Sequence, residues 1–212
     1  MREFRQNIII YIIWALLLGG AAWAIYEQHW ASLLVTILTF TLTFAPMQFQ
    51  RFYHIKIPIV FTSAIIIFTY FTLFLGEVGG FYERLWWWDV FLHAGAAIGF
   101  GLIGFLFMFM LFGGDKFAAP PIAIVWFAFC FGMTIGVLWE VFEFIIDQIF
   151  ATNMQKSGLV DTMYDLIVDA LGAMLGSMAG YFYLKGRWFG GLAKLIDQFV
   201  RENRKLFKKN KD

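Results

Sequence analysis

The chain alternates between long apolar stretches and short polar segments, and this pattern predicts membrane-spanning helices. A helix needs roughly 20 mostly apolar residues to cross the hydrocarbon core of a bilayer. Six stretches are long enough, and they cover residues 7–26, 31–49, 58–76, 88–112, 121–150 and 161–184. Pro46 lies within the second stretch, where we expect it to kink the helix because proline has no backbone N–H group to donate.

Composition places the chain outside the range of soluble domains. Hydrophobic residues make up 61% of the sequence and charged residues only 15%, whereas soluble domains are about half apolar and about one quarter charged. Because lipid offers the backbone no hydrogen-bond partners, such a chain is expected to cross the bilayer as helices. The predicted fold class is all-α, a polytopic transmembrane helix bundle of about six spans. A single cysteine, Cys130, excludes an internal disulfide.

Positive charge is concentrated on one side of the predicted spans, which indicates the orientation of the chain. If the six stretches cross the membrane in turn, every lysine and arginine except Arg84 and Lys156 lies on the same side as the two termini. Cytoplasmic loops carry an excess of these residues. We therefore expect both termini in the cytoplasm, and the loops that follow the first, third and fifth spans outside.

The C-terminal segment has a pattern of its own, because apolar residues recur there at helical spacing among basic ones. The apolar positions are Trp188, Leu192, Leu195, Ile196 and Phe199. This pattern predicts a basic amphipathic helix, either anchored at the anionic inner leaflet, which is the simpler interpretation, or docked on a partner protein. We expect a transmembrane bundle at 1–186 and this cytoplasmic helix at 187–212. Since the bilayer accounts for the basic residues, no nucleic-acid partner is expected.

Ionisable residues are concentrated in the last three spans, although a charge inside a bilayer is costly and often marks a functional site. The first three spans contain almost none. The residues are Asp89 and His93 in the fourth span, Glu140 and Glu143 in the fifth, and Asp161, Asp165 and Asp169 in the sixth. In the predicted topology all three groups lie in the outer half of the membrane, so we expect them to meet.

Helical spacing predicts that the members of each group share one face of their helix. Residues three or four apart are neighbours on a helix surface, so Asp161, Asp165 and Asp169 form one stripe. The stripe continues through Gly172, Gly176 and Gly180. Small residues at this spacing let helices pack closely in membranes. We therefore expect these acidic side chains to point into the bundle rather than into lipid.

Some of these residues have simpler explanations. Acidic residues favour the first turn of a helix, so Asp89 and Asp161 could cap their helices, while Asp147 and Asp161 could be solvated charges at helix ends. A lone histidine is usually a satisfied core residue, but Asp89 lies one turn before His93 and could hold its imidazole in one tautomer. Capping does not explain the acids that lie within their helices, which are Glu140, Glu143 and Asp169.

The predicted acidic cluster requires a source of positive charge. Carboxylates that are close together in a medium of low dielectric constant repel one another strongly, and the nearby bases are only Arg84, Lys156 and His93. Either some carboxylates are protonated or a divalent cation neutralises them. Oxygen ligands with one imidazole suit Mg, Ca, Mn or Zn. The predicted metal ligands are Asp89, His93, Glu140, Glu143, Asp161, Asp165 and Asp169.

Four functions fit such a site. The first is a cation site that binds a lipid or cell-envelope headgroup, and the second is a metal-dependent hydrolase or transferase of an outer-leaflet lipid phosphate, with Glu140 or Glu143 as general base. The third is a proton- or cation-coupled carrier, and the fourth a purely structural site. Binding is favoured because few basic residues are present to hold a phosphate, and no internal repeat typical of carriers occurs. The oligomeric state is left open.

Three short motifs carry a family resemblance. They are Asp89-x-x-x-His93, Glu140-x-x-Glu143, and Asp165-x-x-x-Asp169 followed by Gly172. Over residues 81–180 this pattern resembles the VanZ-like membrane proteins, which are associated with teicoplanin resistance, and the related YjdF-type bacterial proteins. The resemblance implies an inner-membrane protein with a site at these motifs. Glu143 and Asp169 stand where the VanZ pattern has amides, which implies a more acidic site that favours a cation or protons.

Overall fold

The described part of the chain is built of helices and contains six candidate spans that are long and apolar enough to cross a membrane. The computed structural model describes residues 8–115, 119–187 and 190–207, and within these ranges it contains no β-strand. The candidate spans are Ile8–Tyr26, Trp30–Tyr53, Ile59–Val78, Trp88–Leu111, Pro121–Phe150 and Leu159–Leu184. The predicted all-α class and the number of spans are therefore confirmed. The chain divides into two compact units, one up to Trp88 and one from Asp89 onward.

The first unit contains three of the candidate spans. Its helices are α1 (Ile8–Tyr26), α2 (Trp30–Leu42), α3 (Ala45–Tyr53), α4 (Ile59–Thr69), which continues as a π-helical segment at Tyr70–Val78, and the short α5 (Phe81–Arg84). The core of this unit consists of apolar side chains from α1, α4 and the π-helical segment. They are Ile10, Ile13, Leu17, Ile66 and Tyr70.

The second span is interrupted between α2 and α3, next to Pro46, where the sequence predicts a kink. Pro46 lies in the first turn of α3, where a helix tolerates proline because the first N–H groups have no partner within the helix. Thr43 lies in the interruption, and its hydroxyl accepts a hydrogen bond of 2.9 Å from the indole N–H of Trp14 on α1. This bond ties the interruption to the neighbouring helix.

The second unit contains α6 (Trp88–Leu111), α7 (Pro121–Phe150), α8 (Leu159–Leu184) and α9 (Gly190–Glu202). Glycines let α8 lie close to both α6 and α7. A Cβ atom on Gly172 would lie 2.8 Å from the Cβ of Ala97 on α6, and one on Gly132 of α7 would lie 2.8 Å from the Cβ of Ala173. Both distances are below ordinary carbon–carbon contact. The predicted glycine stripe of α8 is thus a packing surface.

The C-terminal amphipathic helix is present as α9, and part of its apolar face packs within the second unit. Ile196 is fully buried, and Ala193 is 5% exposed. Phe207, in the 3₁₀ turn Arg204–Phe207 that follows, lies with its ring centroid 5.5 Å from that of Phe109 on α6. The predicted boundary between residues 186 and 187 stays a prediction. Some residues used in the sequence predictions lie outside the described ranges, namely Arg2, Arg5, Lys116, Trp188 and 208–212.

Candidate metal site

Three helices of the second unit bring ionisable side chains together, as the sequence predicts. The first two turns of α6 carry Asp89 and His93, the second half of α7 carries Glu140, and the first half of α8 carries Asp165 and Asp169. Four of these side chains are withdrawn from the surface, since His93 is 7% exposed, Glu140 4%, and Asp165 and Asp169 3% each. Polar groups buried this deeply require partners.

Asp169 fixes the orientation of the His93 ring. Its Oδ1 lies 3.2 Å from Nδ1 of His93, where a carboxylate accepts the ring N–H. The other ring nitrogen, Nε2, lies 3.8 Å from Oε1 of Glu140 and 4.0 Å from Oδ1 of Asp89. A carboxylate that holds one nitrogen of an imidazole while the other faces further ligands is the usual arrangement around a metal-bound histidine.

Glu140 is a buried acid that accepts no well-formed hydrogen bond, although Nε2 of His93 lies 3.8 Å from its Oε1. Both of its carboxylate oxygens are inaccessible to solvent, and neither accepts a hydrogen bond from any described residue. The Thr162 side chain of α8 lies close to this carboxylate without the geometry of a hydrogen bond, and its hydroxyl accepts a hydrogen bond of 2.8 Å from the side-chain amide of Gln155. An unpaired buried carboxylate is costly, so Glu140 needs a proton or a cation.

Potential ligand atoms form two groups among the described residues. One group is His93, Glu140 and Asp165, and the other is Asp89, Asp161 and Asp165; within each group the ligand atoms all lie within 4.8 Å of one another. Ligands on opposite sides of one cation are separated by twice the metal–ligand distance, about 4–5 Å for oxygen ligands. Each group therefore has the dimensions to surround one cation. Asp165 belongs to both groups.

Asp89 has a basic partner as well as an acidic environment. The ammonium group of Lys156, in the loop between α7 and α8, donates a hydrogen bond of 2.9 Å to Oδ2 of Asp89. Asp89 therefore has a long-range role beyond any interaction with the start of its own helix. Asp161 lies in the first turn of α8, where the helix dipole favours an acid. The prediction that it stabilises the N-terminus of this helix therefore stays open.

Asp147 is a loop anchor and not a member of either group. Its carboxylate accepts hydrogen bonds from the Thr152 hydroxyl at 2.6 Å, the Met154 N–H at 2.8 Å and the Gln155 N–H at 3.0 Å. The prediction of a solvated charge at a helix end is therefore incomplete, because the side chain holds the loop that carries Lys156.

The remaining predicted ligands lie beside the two groups. Glu143 is 9% exposed and accepts a hydrogen bond of 2.9 Å from the indole N–H of Trp139. Neither Glu143 nor Asp169 belongs to a potential ligand group among the described residues. Asp169 acts on the site through His93, and Glu143 places a further carboxyl group near Glu140.

Sequence reasoning missed one residue that shapes the site, Gly136 on α7. A Cβ atom at this position would collide with the carboxylate of Asp169, so only glycine leaves room for the side chain that orients His93. The sequence did contain a signal for Gly136, because this residue lies four positions before Glu140 and helical spacing puts both on one face of α7. Without a structure, nothing indicated that the partner across this face was Asp169.

A cavity of about 720 Å³ adjoins the site between α7 and α8. Its polar lining includes Glu140, Lys156 and Thr162, and its apolar lining includes Val141, Phe144 and Leu166. Ligand-binding cavities commonly have these dimensions and combine apolar walls with a few polar groups. The cavity therefore lies beside the buried Glu140 carboxylate and is open to a molecule with one polar and one apolar part.

Comparisons with known proteins identify the family of the chain. Residues 8–186 match a family described as predicted membrane protein (DUF2238). The chain belongs to this family of membrane proteins. An uncharacterized protein of Thermotoga maritima is 32% identical over 150 residues, which are 69% of this chain and 74% of the relative. No solved structure matches the chain. The match covers every residue of the two ligand groups, so the site lies within the family's shared region.

Proposed function

We propose that this DUF2238 membrane protein binds a divalent cation through His93, Glu140 and Asp165, and that the cation helps to hold a lipid or cell-envelope headgroup. The observation that carries the proposal is Glu140, whose two buried carboxylate oxygens accept no hydrogen bond from the described residues. A cation next to Nε2 of His93 would satisfy this carboxylate and compensate part of the surrounding negative charge. One nitrogen and two carboxylate ligands favour Mn or Zn over Mg or Ca.

The headgroup is proposed from the cavity beside the cation site. Its apolar residues, such as Phe144 and Leu166, suit an acyl or isoprenoid chain, whereas Lys156 suits an anionic group close to the cation. A bound divalent cation and a lysine attract the same anion, which supports a phosphate-bearing headgroup. The charge pattern of the loops supports an outer-leaflet site, in a bacterial inner membrane with both termini cytoplasmic. The resemblance to VanZ-like and YjdF-type proteins is carried by the motifs that contain these ligands, and it adds no mechanism.

Metal analysis tests the cation site directly. The purified protein is washed with a chelator, incubated with Mn²⁺ or Zn²⁺, desalted and analysed by mass spectrometry, together with Glu140→Gln and Asp169→Asn. We expect stoichiometric metal in the wild type, loss of the ion held by His93, Glu140 and Asp165 in Glu140→Gln, and a weakening of that position by about 10- to 100-fold in Asp169→Asn, because residues that orient a ligand typically contribute that much. Glu202→Gln on α9 is the matched control and should bind like the wild type. A wild type that binds no metal contradicts the proposal.

A lipid experiment tests the headgroup separately. The protein is delipidated in detergent, and binding of phosphatidic acid and of phosphatidylcholine is compared by native mass spectrometry with Mn²⁺ or with EDTA. We expect phosphatidic acid to be preferred and the preference to require metal. Equal binding of the two lipids, or binding that EDTA leaves unchanged, contradicts the headgroup role and leaves the cation site intact.

A second candidate, a metal-dependent hydrolase or transferase of a lipid phosphate, is favoured by the same cavity. A purely structural cation site would be closed, whereas this one adjoins open space, and Glu140 rather than Glu143 borders it. If the chain is an enzyme, Glu140 is thus the better candidate for the general base, and Glu143 lies behind it. Release of inorganic phosphate from phosphatidic acid in the presence of Mn²⁺, abolished in Glu140→Gln, would favour this candidate over binding alone.

A further inference from the structure

The second group of potential ligands, Asp89, Asp161 and Asp165, differs in chemistry from the first. It contains only carboxylates, and its ligand atoms lie within 4.8 Å of one another. Asp89 and Asp161 are partly exposed, whereas Asp165 is 3% exposed. A set of carboxylates alone is no evidence of a site, since acidic clusters are common on protein surfaces. The buried member of the group is the residue that calls for a partner.

Asp165 is buried between the two groups without a hydrogen bond from any described residue. The charges around it are mostly of its own sign, because Asp89, Asp161 and Glu140 all act on it and His93 is the opposing group. A carboxylate has two oxygens and can bind a different cation with each. Its position in both groups therefore suits a bridging ligand.

With every carboxylate ionised, the charge of the cluster exceeds what one cation can neutralise. Six carboxylates are present, from Asp89, Glu140, Glu143, Asp161, Asp165 and Asp169. Against them stand Lys156, which is bonded to Asp89, and His93. If all six are ionised, at least four negative charges remain even when His93 is protonated. One divalent cation would leave at least two of these charges in a setting of low dielectric constant, where such a surplus is strongly unfavourable.

We propose that the site holds two divalent cations, the first at His93, Glu140 and Asp165, and the second at Asp89, Asp161 and Asp165, with Asp165 as the shared ligand. This inference rests on the proposed cation site and extends it. The second position takes a hard cation such as Mg²⁺, Mn²⁺ or Ca²⁺, since its ligands are oxygens only. The first position, with its imidazole, also takes Zn²⁺. Two cations that share a carboxylate can bind two oxygens of one phosphate group.

The test uses Mn²⁺, which both positions accept and which electron paramagnetic resonance detects. The full-length protein in detergent is stripped with a chelator, titrated with Mn²⁺, and analysed for bound metal and for its spectrum. Two Mn²⁺ ions bridged by one carboxylate are exchange-coupled, so their spectrum differs from that of an isolated ion. We expect two Mn²⁺ per wild-type chain with a coupled spectrum.

Single substitutions separate the two positions. Asp161→Asn should leave one Mn²⁺ per chain and an uncoupled spectrum, because it removes a ligand of the second position only. Glu140→Gln should weaken the first position by at least 10- to 100-fold, the range that even an outer-shell partner contributes. Asp161→Glu keeps the carboxylate and should retain two coupled ions, which shows that the loss in Asp161→Asn is not a folding defect. Glu202→Gln, which changes an acid of α9 outside both groups, is the matched control and should retain two ions.

The outcomes separate this inference from the proposed function. One Mn²⁺ per wild-type chain, unchanged in Asp161→Asn, overturns the second position and leaves the first intact. Two ions without exchange coupling overturn Asp165 as the shared ligand. No bound Mn²⁺ in the wild type overturns both the second position and the proposed function.

Discussion

Gly136→Ala is the sharpest test of how the site is built, because it changes no charged or ligating group. The added Cβ atom would collide with the Asp169 carboxylate and would lie 2.9 Å from its Cγ and 3.2 Å from its Cβ. These distances are shorter than ordinary contact, which is about 3.5–4.0 Å between carbon atoms. Since α7 and α8 are closely packed, the simplest relief is a rotation of the Asp169 side chain away from α7. That rotation breaks its 3.2 Å contact with Nδ1 of His93.

The expected loss of metal affinity is large, whereas the expected effect on stability has an upper limit. Loss of a residue that orients a histidine ligand costs about 10- to 100-fold in metal affinity, which corresponds to about 1.4–2.8 kcal/mol. Overpacking of a closely packed interior costs about 1–3 kcal/mol, and alanine in place of a helical glycine returns about 0.5–1 kcal/mol. The metal-free Gly136→Ala protein should therefore lose at most about 2.5 kcal/mol of stability, while the site loses most of its affinity.

The assay is a Mn²⁺ titration of Gly136→Ala beside a thermal unfolding curve of the metal-free protein in the same detergent. Gly99→Ala on α6 is the matched control, because the described structure has no neighbouring atom within 4 Å of a Cβ atom added there. It should bind Mn²⁺ like the wild type and be equally or more stable. If Gly136→Ala binds metal with wild-type affinity, Asp169 does not orient His93 for a cation, and the assignment of the site is wrong at that point.

Two further substitutions test the electrostatics and the packing of the site. Lys156→Met removes a positive charge that is bonded to Asp89. A single charge and a divalent cation roughly 6 Å apart in water repel by about 1.4 kcal/mol, so Mn²⁺ should bind about tenfold more tightly at the second position. Weaker binding of Mn²⁺ in the same titration would contradict this expectation. Gly176→Val places side-chain atoms against the backbone of Ile98 and Leu102 on α6, so α6 and α8 must separate. We expect both the thermal unfolding midpoint and the metal affinity to fall. An unchanged midpoint would contradict the close packing of α8 on α6.

The spans were predictable because their signal is local. Apolar length alone identifies a transmembrane helix, since the bilayer imposes the same requirement on every span. The ends of the helices were less predictable than the spans themselves, and the interruption at Thr43 shows why. Pro46 indicates that the helix is disturbed, but the sequence does not reveal that Trp14 of another helix donates a hydrogen bond to the buried Thr43 hydroxyl at the interruption.

The members of the site were predictable, whereas their roles were not. Charged residues are so unfavourable in a span that each one stands out, and helical spacing puts them on common faces. Spacing does not distinguish a ligand from a residue that orients a ligand. Asp169 was predicted as a ligand, yet it contacts Nδ1 of His93 and lies outside both ligand groups. Such roles depend on distances between helices, which only the packed structure supplies.

The stripe on α8 explains why packing and chemistry occur together in this chain. With 3.6 residues per turn, a spacing of four advances the face by about 40° at each step, so a long stripe would wind around the helix. The step of three from Asp169 to Gly172 turns the face back by about 60°, and positions 161–180 of the stripe therefore stay within one sector of about 100°. Gly172 and Gly176 hold this sector against α6. The same close approach brings Asp169 within 3.2 Å of His93. A longer side chain at either glycine would thus weaken the metal site from a distance, whereas a ligand substitution such as Asp161→Asn would remove only the second metal ion and leave the helix packing unchanged.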